Sequence, residues 1–568
     1  MKYASGAMNA RSGIVLLSLL LIPSCGGGSD SAGPPAVSGP AAWPQWGQNP
    51  QHTGSVDVAA QSPDRLIFET VVDPFVAQEI QTSGRGALLV HYPAPLASGN
   101  DVFLMTKSGT YTSAGNWASQ EWGWKRLHWQ DGSLREVWNY RSDWKPVPSG
   151  GVLGWEPVNQ AALAGGFLYL PGFGGTVLKL DANDGSLVAR INPFGASPDP
   201  QIFVSGPLAA SAGGEIYYNA IRLDPADPWR RDVLDAWLVR VTTDARASVA
   251  RYPDIVSGAP SAGAQCLTAF STEPLPWPPS ANATPPSSAC GSQRPGVNVA
   301  PVIGHDGTVF TVSRAHFNSR YGYLVAVNAD LSRRWTSTLR ERFDDGCGVP
   351  ASGGGVLPPS GAAGGCRSGS RLGVNPLTNR LGDGEVNDLS SSSPVVAPDG
   401  SILYGAYSRY NYSRGHLMKF GANGGYLASY SFGWDTTPAA RGSAADYSVV
   451  IKDNHYDGVG SYCGSCASDG LVGQYFVTQL RGDTLAAEWR FQNPNRDEWC
   501  INAPALDRNG DVFGIAEDGF LYAIGSDGTL RNSLFLEQPL GAAYTPLAID
   551  AEGRLYAQNA GHFFVAGR

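Results

Sequence analysis

The sequence predicts an all-β fold, an eight-bladed β-propeller of four-stranded antiparallel blades. Three observations carry that prediction: a strand signature that repeats along the chain, an abundance of turn formers, and one strand near the start with no partner of its own. The 568 residues are 42% hydrophobic and 16% charged, enough apolar side chain for a large core and too little charge for a disordered chain. Gly (71) and Pro (41) are plentiful without any collagen period. Thr, Val, Tyr and Trp are spread over the whole length, as expected of many short strands joined by tight turns.

The repeated signature is a small or proline-containing strand start, a Gly-rich turn, and an alternating apolar strand. It occurs eight times: PAPLASGNDVFL from Pro93, NQAALAGGFLYL from Asn159, SGPLAASAGGEIYY from Ser205, VAPVIGHDGTVFT from Val299, SSPVVAPDGSILYG from Ser392, a degenerate TPAARGSAADYSVVI from Thr437, NAPALDRNGDVFGI from Asn502 and TPLAIDAEGRLYAQ from Thr545. Each reads as a hairpin of strands A and B, because Asp-Gly and Gly-Gly supply the positive φ of a short β-turn and the flanks alternate with period two. A second strand, turn and strand follows the first seven copies, as in TVLKLDANDGSLVARI from Thr176 and FLYAIGSDGTLRNSLFL from Phe520. The last copy ends after HFFVAG and lacks strand D, while RLIFETVVD from Arg65 is strand-like and lacks a hairpin. Pairing these two closes the ring and removes the open edges of a linear array.

Upstream of the repeats, Lys2 and Arg11 precede the apolar run GIVLLSLLLI. The run is short for a membrane span and has the length of a signal-peptide core, so residues 1–25 are expected to be an export signal. It ends in IPSC, which resembles the bacterial lipobox and makes Cys25 the expected lipidation site; Pro23 departs from that pattern. Gly26 follows the cysteine where an inner-membrane retention signal would resemble Asp, which favours an outer-membrane anchor with the protein on the periplasmic or cell-surface side. Residues 26–42 have the composition of a flexible tether, and the propeller is expected over 43–568.

The stretch WPQWGQNPQHTG, from Trp43, is rich in side chains that usually pack. If Arg65 opens the closing strand, this stretch lies across the ring near the seam, where Trp43, Pro44 and Trp46 cover apolar side chains. An export signal, this Trp-Pro-x-Trp segment ending in His-x-Gly, and repeats reading G-x-[VL]-Y-x-[LV]-[DN]-x-x-[DT]-G-x-x-x-W together resemble the pyrroloquinoline-quinone (PQQ)-binding-like propeller family. Within it, the resemblance points to the barrel-assembly scaffold lipoproteins of the outer membrane and, more distantly, to quinoprotein dehydrogenases. It implies the eight-bladed fold for nearly everything after Trp43.

Seven cysteines remain after Cys25, and an exported chain is expected to pair them. Cys266 and Cys290 bracket a Pro-rich loop and Cys347 and Cys366 a Gly-rich one, so each pair is expected to staple its loop. Cys463, Cys466 and Cys500 are left, with either a short bridge within CGSC or Cys466 to Cys500 open. CGSC lacks the His of a haem attachment site and lies in a loop, which argues against redox chemistry.

In a four-stranded blade the A–B and C–D turns share one face of the disc, and the B–C and D–A loops share the other. The former are short here. Long insertions fall in B–C loops at 106–125, 223–235, 313–322, 407–415 and 453–473, and in D–A loops at 142–157, 254–296, 341–389 and 493–499. Loops on a rigid scaffold carry function at small cost in stability. The looped face is rich in types that dominate recognition hot spots, and Trp117, Trp122, Trp124, Trp155, Trp229, Arg314, His316, Arg409, Tyr410, Tyr412 and His455 are its binding candidates, with packing of the loops as their bland role. Around the channel on that face, Glu156, Asn159, Asn298, Asn387, Asp388 and Asn502 would supply oxygen donors of the kind a hard cation takes, or cap strand starts and hold water. The quinoprotein resemblance implies PQQ with Ca²⁺ in that place, yet this chain has no adjacent Cys-Cys pair.

The net charge is −9 with no Lys/Arg cluster, which argues against nucleic acid as a partner. DANDG from Asp181 and DRNGD from Asp507 lack the Glu of a calcium loop and sit where hairpin turns are required. No nucleophile elbow or His-rich metal cluster is present, and no catalytic residue or cofactor is expected. The expectation is a lipid-anchored scaffold or binding module for an envelope protein or polysaccharide, its only membrane contact the lipid; the enzyme alternative is a PQQ- and calcium-dependent dehydrogenase.

Overall fold

Each repeat folds as an antiparallel sheet because its strands alternate, its turns offer residues that tolerate positive φ, and neighbouring sheets bury both of its faces. The computed structural model describes residues 37, 41–82, 88, 90–150, 155–268, 270, 280, 282–344, 346–348, 350–351, 355–356, 366–375, 378–408, 414–432, 435–455, 471, 473–499, 503–537 and 545–568. Cys25, Arg409, Tyr410, Tyr412, Asn502, Cys463, Cys466 and Cys500 lie outside the described residues.

Eight blades form the ring. Blade 1 comprises Leu96–Ser98, Asp101–Gly109, Gln120–Gln130 and Ser133–Arg141. Blade 2 comprises Ala162–Ala164, Phe167–Pro171, Val177–Asp181 and Leu187–Ile191. In blades 3 and 4 the inner strand is interrupted, as Ile202–Val204 with Ala209–Ala210 and as Gln293–Pro295 with Val302–Ile303. Blades 5, 6 and 7 start at Val395–Val396, Ala439–Ser443 and Ala505–Leu506. Blade 8 runs Ala548–Ile549, Leu555–Asn559, His562–Gly567 and, from the other end of the chain, Arg65–Val71. Arg65 pairs with Gly567 and Val71 with His562, so the predicted closure is present.

Three strand-D tryptophans each form a blade-to-blade clasp with a turn glycine of the next blade. Trp138 on strand D of blade 1 lies on Gly185 of the next blade's C–D turn and donates to the Ala182 carbonyl at 3.1 Å. Trp335 repeats this on Gly424 and the Ala422 carbonyl at 3.0 Å, and Trp489 on Gly528 and the Ser526 carbonyl at 3.0 Å. Gly is required there twice over: φ is +73°, +83° and +78° at the three positions, and a Cβ would come within 2.7–2.8 Å of the indole.

The A–B and C–D turns are two to five residues long, while the long connections lie in B–C and D–A positions. Cys266 pairs with Cys290 and Cys347 with Cys366, with Cα–Cα distances of 5.0 and 5.7 Å. One expected insertion is absent: 313–322 is a tight hairpin of Val309–Ala315 and Asn318–Val327, because the strands simply run longer.

The opening Trp-Pro-Gln-Trp segment does more than cover the seam. Ala41–Trp43, partly inside the stretch expected to be tether, adds an inner fifth strand to blade 1 by pairing with Ala97 and Ser98; an open strand edge accepts any backbone. The chain then visits the inner strands of the other blades in ring order. Pro44 O accepts from Leu163 N at 2.8 Å, Pro50 O from Ile303 N at 2.8 Å, Gln51 O from Val396 N at 2.9 Å, Thr53 O from Ala440 N at 2.8 Å, and Gly54 O from Leu506 N at 2.8 Å. Between these, the Gln45 amide exchanges two hydrogen bonds with Ala210 of blade 3, at 2.6 and 3.0 Å, and Gln61 N donates to Gly553 O of blade 8 at 2.7 Å. All eight blades are touched at their A–B ends, with Trp43 and Trp46 buried at 2% and 1% exposure. The segment closes the channel mouth on the short-turned face.

Candidate functional site

On the looped side, the inner ends of blades 8, 1 and 2 meet at a buried charge cluster. Lys107 continues the inward side of Asp101–Gly109 in period two with Phe103 and Met105. Its Nζ reaches Glu156 at 2.6 Å, Asp73 at 3.1 Å and Glu79 at 3.2 Å. Asp73 follows the closing strand, Glu79 lies on the short helix Val76–Thr82, and Glu156 precedes blade 2. The Trp122 indole donates to Glu156 at 2.8 Å. Burial, together with the neighbouring carboxylates, pushes the Glu79 carboxyl up to about 8 although Lys107 opposes it. Burial opposes the Lys107 charge, but the three carboxylates more than compensate and hold its pKa well above the ordinary lysine value.

An acid with a raised folded pKa keeps its proton where the unfolded chain has lost it. Its contribution is therefore complete below about pH 4.5 and is lost as pH rises to about 8. The urea midpoint is expected to fall between pH 5 and pH 8 less steeply in Glu79→Gln than in the wild type. Identical falls in the two proteins would remove Glu79 as the titrating group.

Four of the five candidate tryptophans are packed inside the fold. Trp122 and Trp124 are fully buried, Trp117 and Trp155 nearly so. Trp124 donates to Asn159 Oδ1 at 3.1 Å, Trp122 meets Trp144 edge-on at 5.2 Å, and Trp155 lies 5.2 Å from the His91 ring. Of the two roles open to them, burial fits packing: Trp122 and Trp124 sit within the strand Gln120–Gln130 and are 0% exposed. His316 and His455 are likewise buried. His455 lies 3.0 Å from Asp453 and meets Phe476 edge-on. Burial, reinforced by Arg294 and Arg314, lowers the His316 pKa to about 4, so its imidazole is neutral at pH 7.

Trp229 is half-buried, donates to the Pro148 carbonyl at 2.8 Å and stacks on His316 at 6.2 Å. Beside it Arg294 grips Asp388 through two hydrogen bonds of 2.8 and 2.6 Å, and half-buried Arg314 adds a third at 3.0 Å. Burial alone would raise the Asp388 carboxyl, but the two guanidinia outweigh it and hold the carboxyl well below its usual range. Phe317, next in the chain, is 41% exposed.

The described members of the polar ring are engaged by other protein groups. Glu156 is committed to Lys107 and Trp122, and Asp388 to two arginines. Asn298 Oδ1 accepts from Val158 N at 3.0 Å, and Asn387 Oδ1 from Leu389 N at 2.9 Å. The buried atoms left over are Asn159 Nδ2 and Asn298 Nδ2, which are donors and of the wrong polarity to face a cation. The five described residues do not fit Ca²⁺ beside a quinone, because their side-chain oxygens already accept from cations and N–H groups. Among the described residues no group of three or more His, Cys, Asp or Glu could hold a metal ion, and no helix is long and apolar enough to cross a membrane.

No family model and no curated protein matches the sequence. Solved structures do match in fold. The quinohemoprotein alcohol dehydrogenase from Comamonas testosteroni is 11% identical, with a TM-score of 0.50, over 93% of this chain and 81% of its own. A europium-containing methanol dehydrogenase is 10% identical, with a TM-score of 0.49, over 90% and 89%. BamB from Moraxella catarrhalis is 13% identical, with a TM-score of 0.37, over 89% and 99%. The class defined here is the eight-bladed β-propeller. The resemblance read from the PQQ-like repeats holds at the level of fold.

Proposed function

We propose that this protein is a non-catalytic, exported lipoprotein, anchored through Cys25 to the outer membrane, whose looped face binds a protein or polysaccharide partner at the cell envelope. The observation that carries the reading is the division of labour between the faces. One has turns of two to five residues and a channel mouth covered by 43–61; the other gathers the long connections, including both disulfide-stapled loops. A scaffold that confines its variable backbone to one side presents one surface for recognition. The accessible candidates there are Phe317, Leu372 and the half-buried Trp229 rather than the buried tryptophans.

The test is cross-linked capture from envelope extracts with the intact chain. Phe317→Ala and Trp229→Ala are expected to weaken capture of a specific partner by about tenfold or more, while Asp244→Ala on the opposite face leaves it unchanged. Saturable quinone binding with Ca²⁺-dependent, dye-linked alcohol oxidation would overturn the reading in favour of the dehydrogenase. A glycan array decides between the two partner classes.

A further inference from the structure

The path of the N-terminal segment fixes which face the chain enters from. Val37 N donates to Asn183 Oδ1 at 2.7 Å. Asn183 sits in the C–D turn of blade 2, held there by Asp181 at 2.8 Å and by Arg126 from blade 1 at 2.7 Å. From this point the chain pairs as Ala41–Trp43 with the inner strand of blade 1 and continues along the A–B ends of all the other blades. Every one of these contacts is on the short-turned face.

We propose that the short-turned face looks toward the membrane that carries the N-terminal lipid and that the looped face is displayed away from it. This rests on the reading of Cys25 as the lipidated residue. Twelve residue steps separate Cys25 from Val37. Their reach is at most about 40 Å. A strand such as Asp101–Gly109 makes the disc wall about 30 Å high at 3.3 Å per residue. Turning the looped face onto the bilayer would use about three quarters of that reach on the height of the disc alone, whereas facing the short-turned side to it uses none of it.

The test uses full-length lipidated protein in vesicles of phosphatidylethanolamine and phosphatidylglycerol bearing a headgroup-linked quencher. A fluorescent amino acid is placed at position 244, in a C–D turn of blade 3, or at position 230, in the B–C loop of the same blade; both side chains are exposed. The expected result is loss of fluorescence at 244 with little loss at 230, and none at either in Cys25→Ser. Equal or greater loss at 230, in protein whose N-terminal fragment carries the lipid mass, overturns the orientation alone. An N-terminal fragment without lipid mass overturns the anchor, and with it the orientation.

Discussion

Lys107→Met is expected to lower the unfolding free energy by about 3–5 kcal/mol, because the buried carboxyl groups of Asp73, Glu79 and Glu156 lose the ammonium that holds them. The cost is not that of a surface ion pair, which is worth at most about 1 kcal/mol; here the Lys107 side chain is wholly buried, as is that of Asp73. Urea unfolding of the full chain measures it, and two further results distinguish charge from shape. The deficit should shrink near pH 5, where the orphaned carboxyls take up protons, and it should be partly recovered when Glu156→Gln and Asp73→Asn are added. A deficit that ignores both would mean that the lysine stem, not its charge, is what the site needs.

Trp46→Ala is expected to cost about 3–5 kcal/mol, the range for deleting a buried aromatic. A residue this near the start of a chain would ordinarily be dispensable, but the indole is 1% exposed and sits between the Pro44 and Pro50 contacts of the segment that crosses the inner strands. Trp229→Ala, by contrast, removes a half-buried ring on the looped face and should leave stability nearly unchanged. Comparable losses in the two variants would contradict the assignment of 43–61 as a structural segment.

Much of the architecture was legible because a propeller is written in local chemistry. Period-two strands and Asp-Gly turns each act within a few residues, and the unpaired Arg65–Val71 strand had one vacancy to fill. The candidate site was less legible. Aromatic side chains on a loop and at the end of a long strand look alike in sequence, so Trp122 and Trp124 read as surface until the strand Gln120–Gln130 is seen to continue through them. The Lys107 cluster draws its partners from 73, 79 and 156, positions that no short-range pattern connects; the one available signal was a lysine in register with Phe103 and Met105. The route of 43–61 was hidden for a related reason. Its hydrogen bonds run mostly through backbone carbonyls, which carry no sequence signature.

The pairing of Arg65–Val71 with His562–Gly567 has a consequence for biogenesis. This early strand must wait for the last-made one, across about 500 residues, and uniting ends that far apart costs roughly 5 kcal/mol of chain entropy. Until then the intermediate is a crescent with two raw edges, the species most exposed to proteolysis and self-association. A chain clipped of even its final six residues would be left permanently in that crescent.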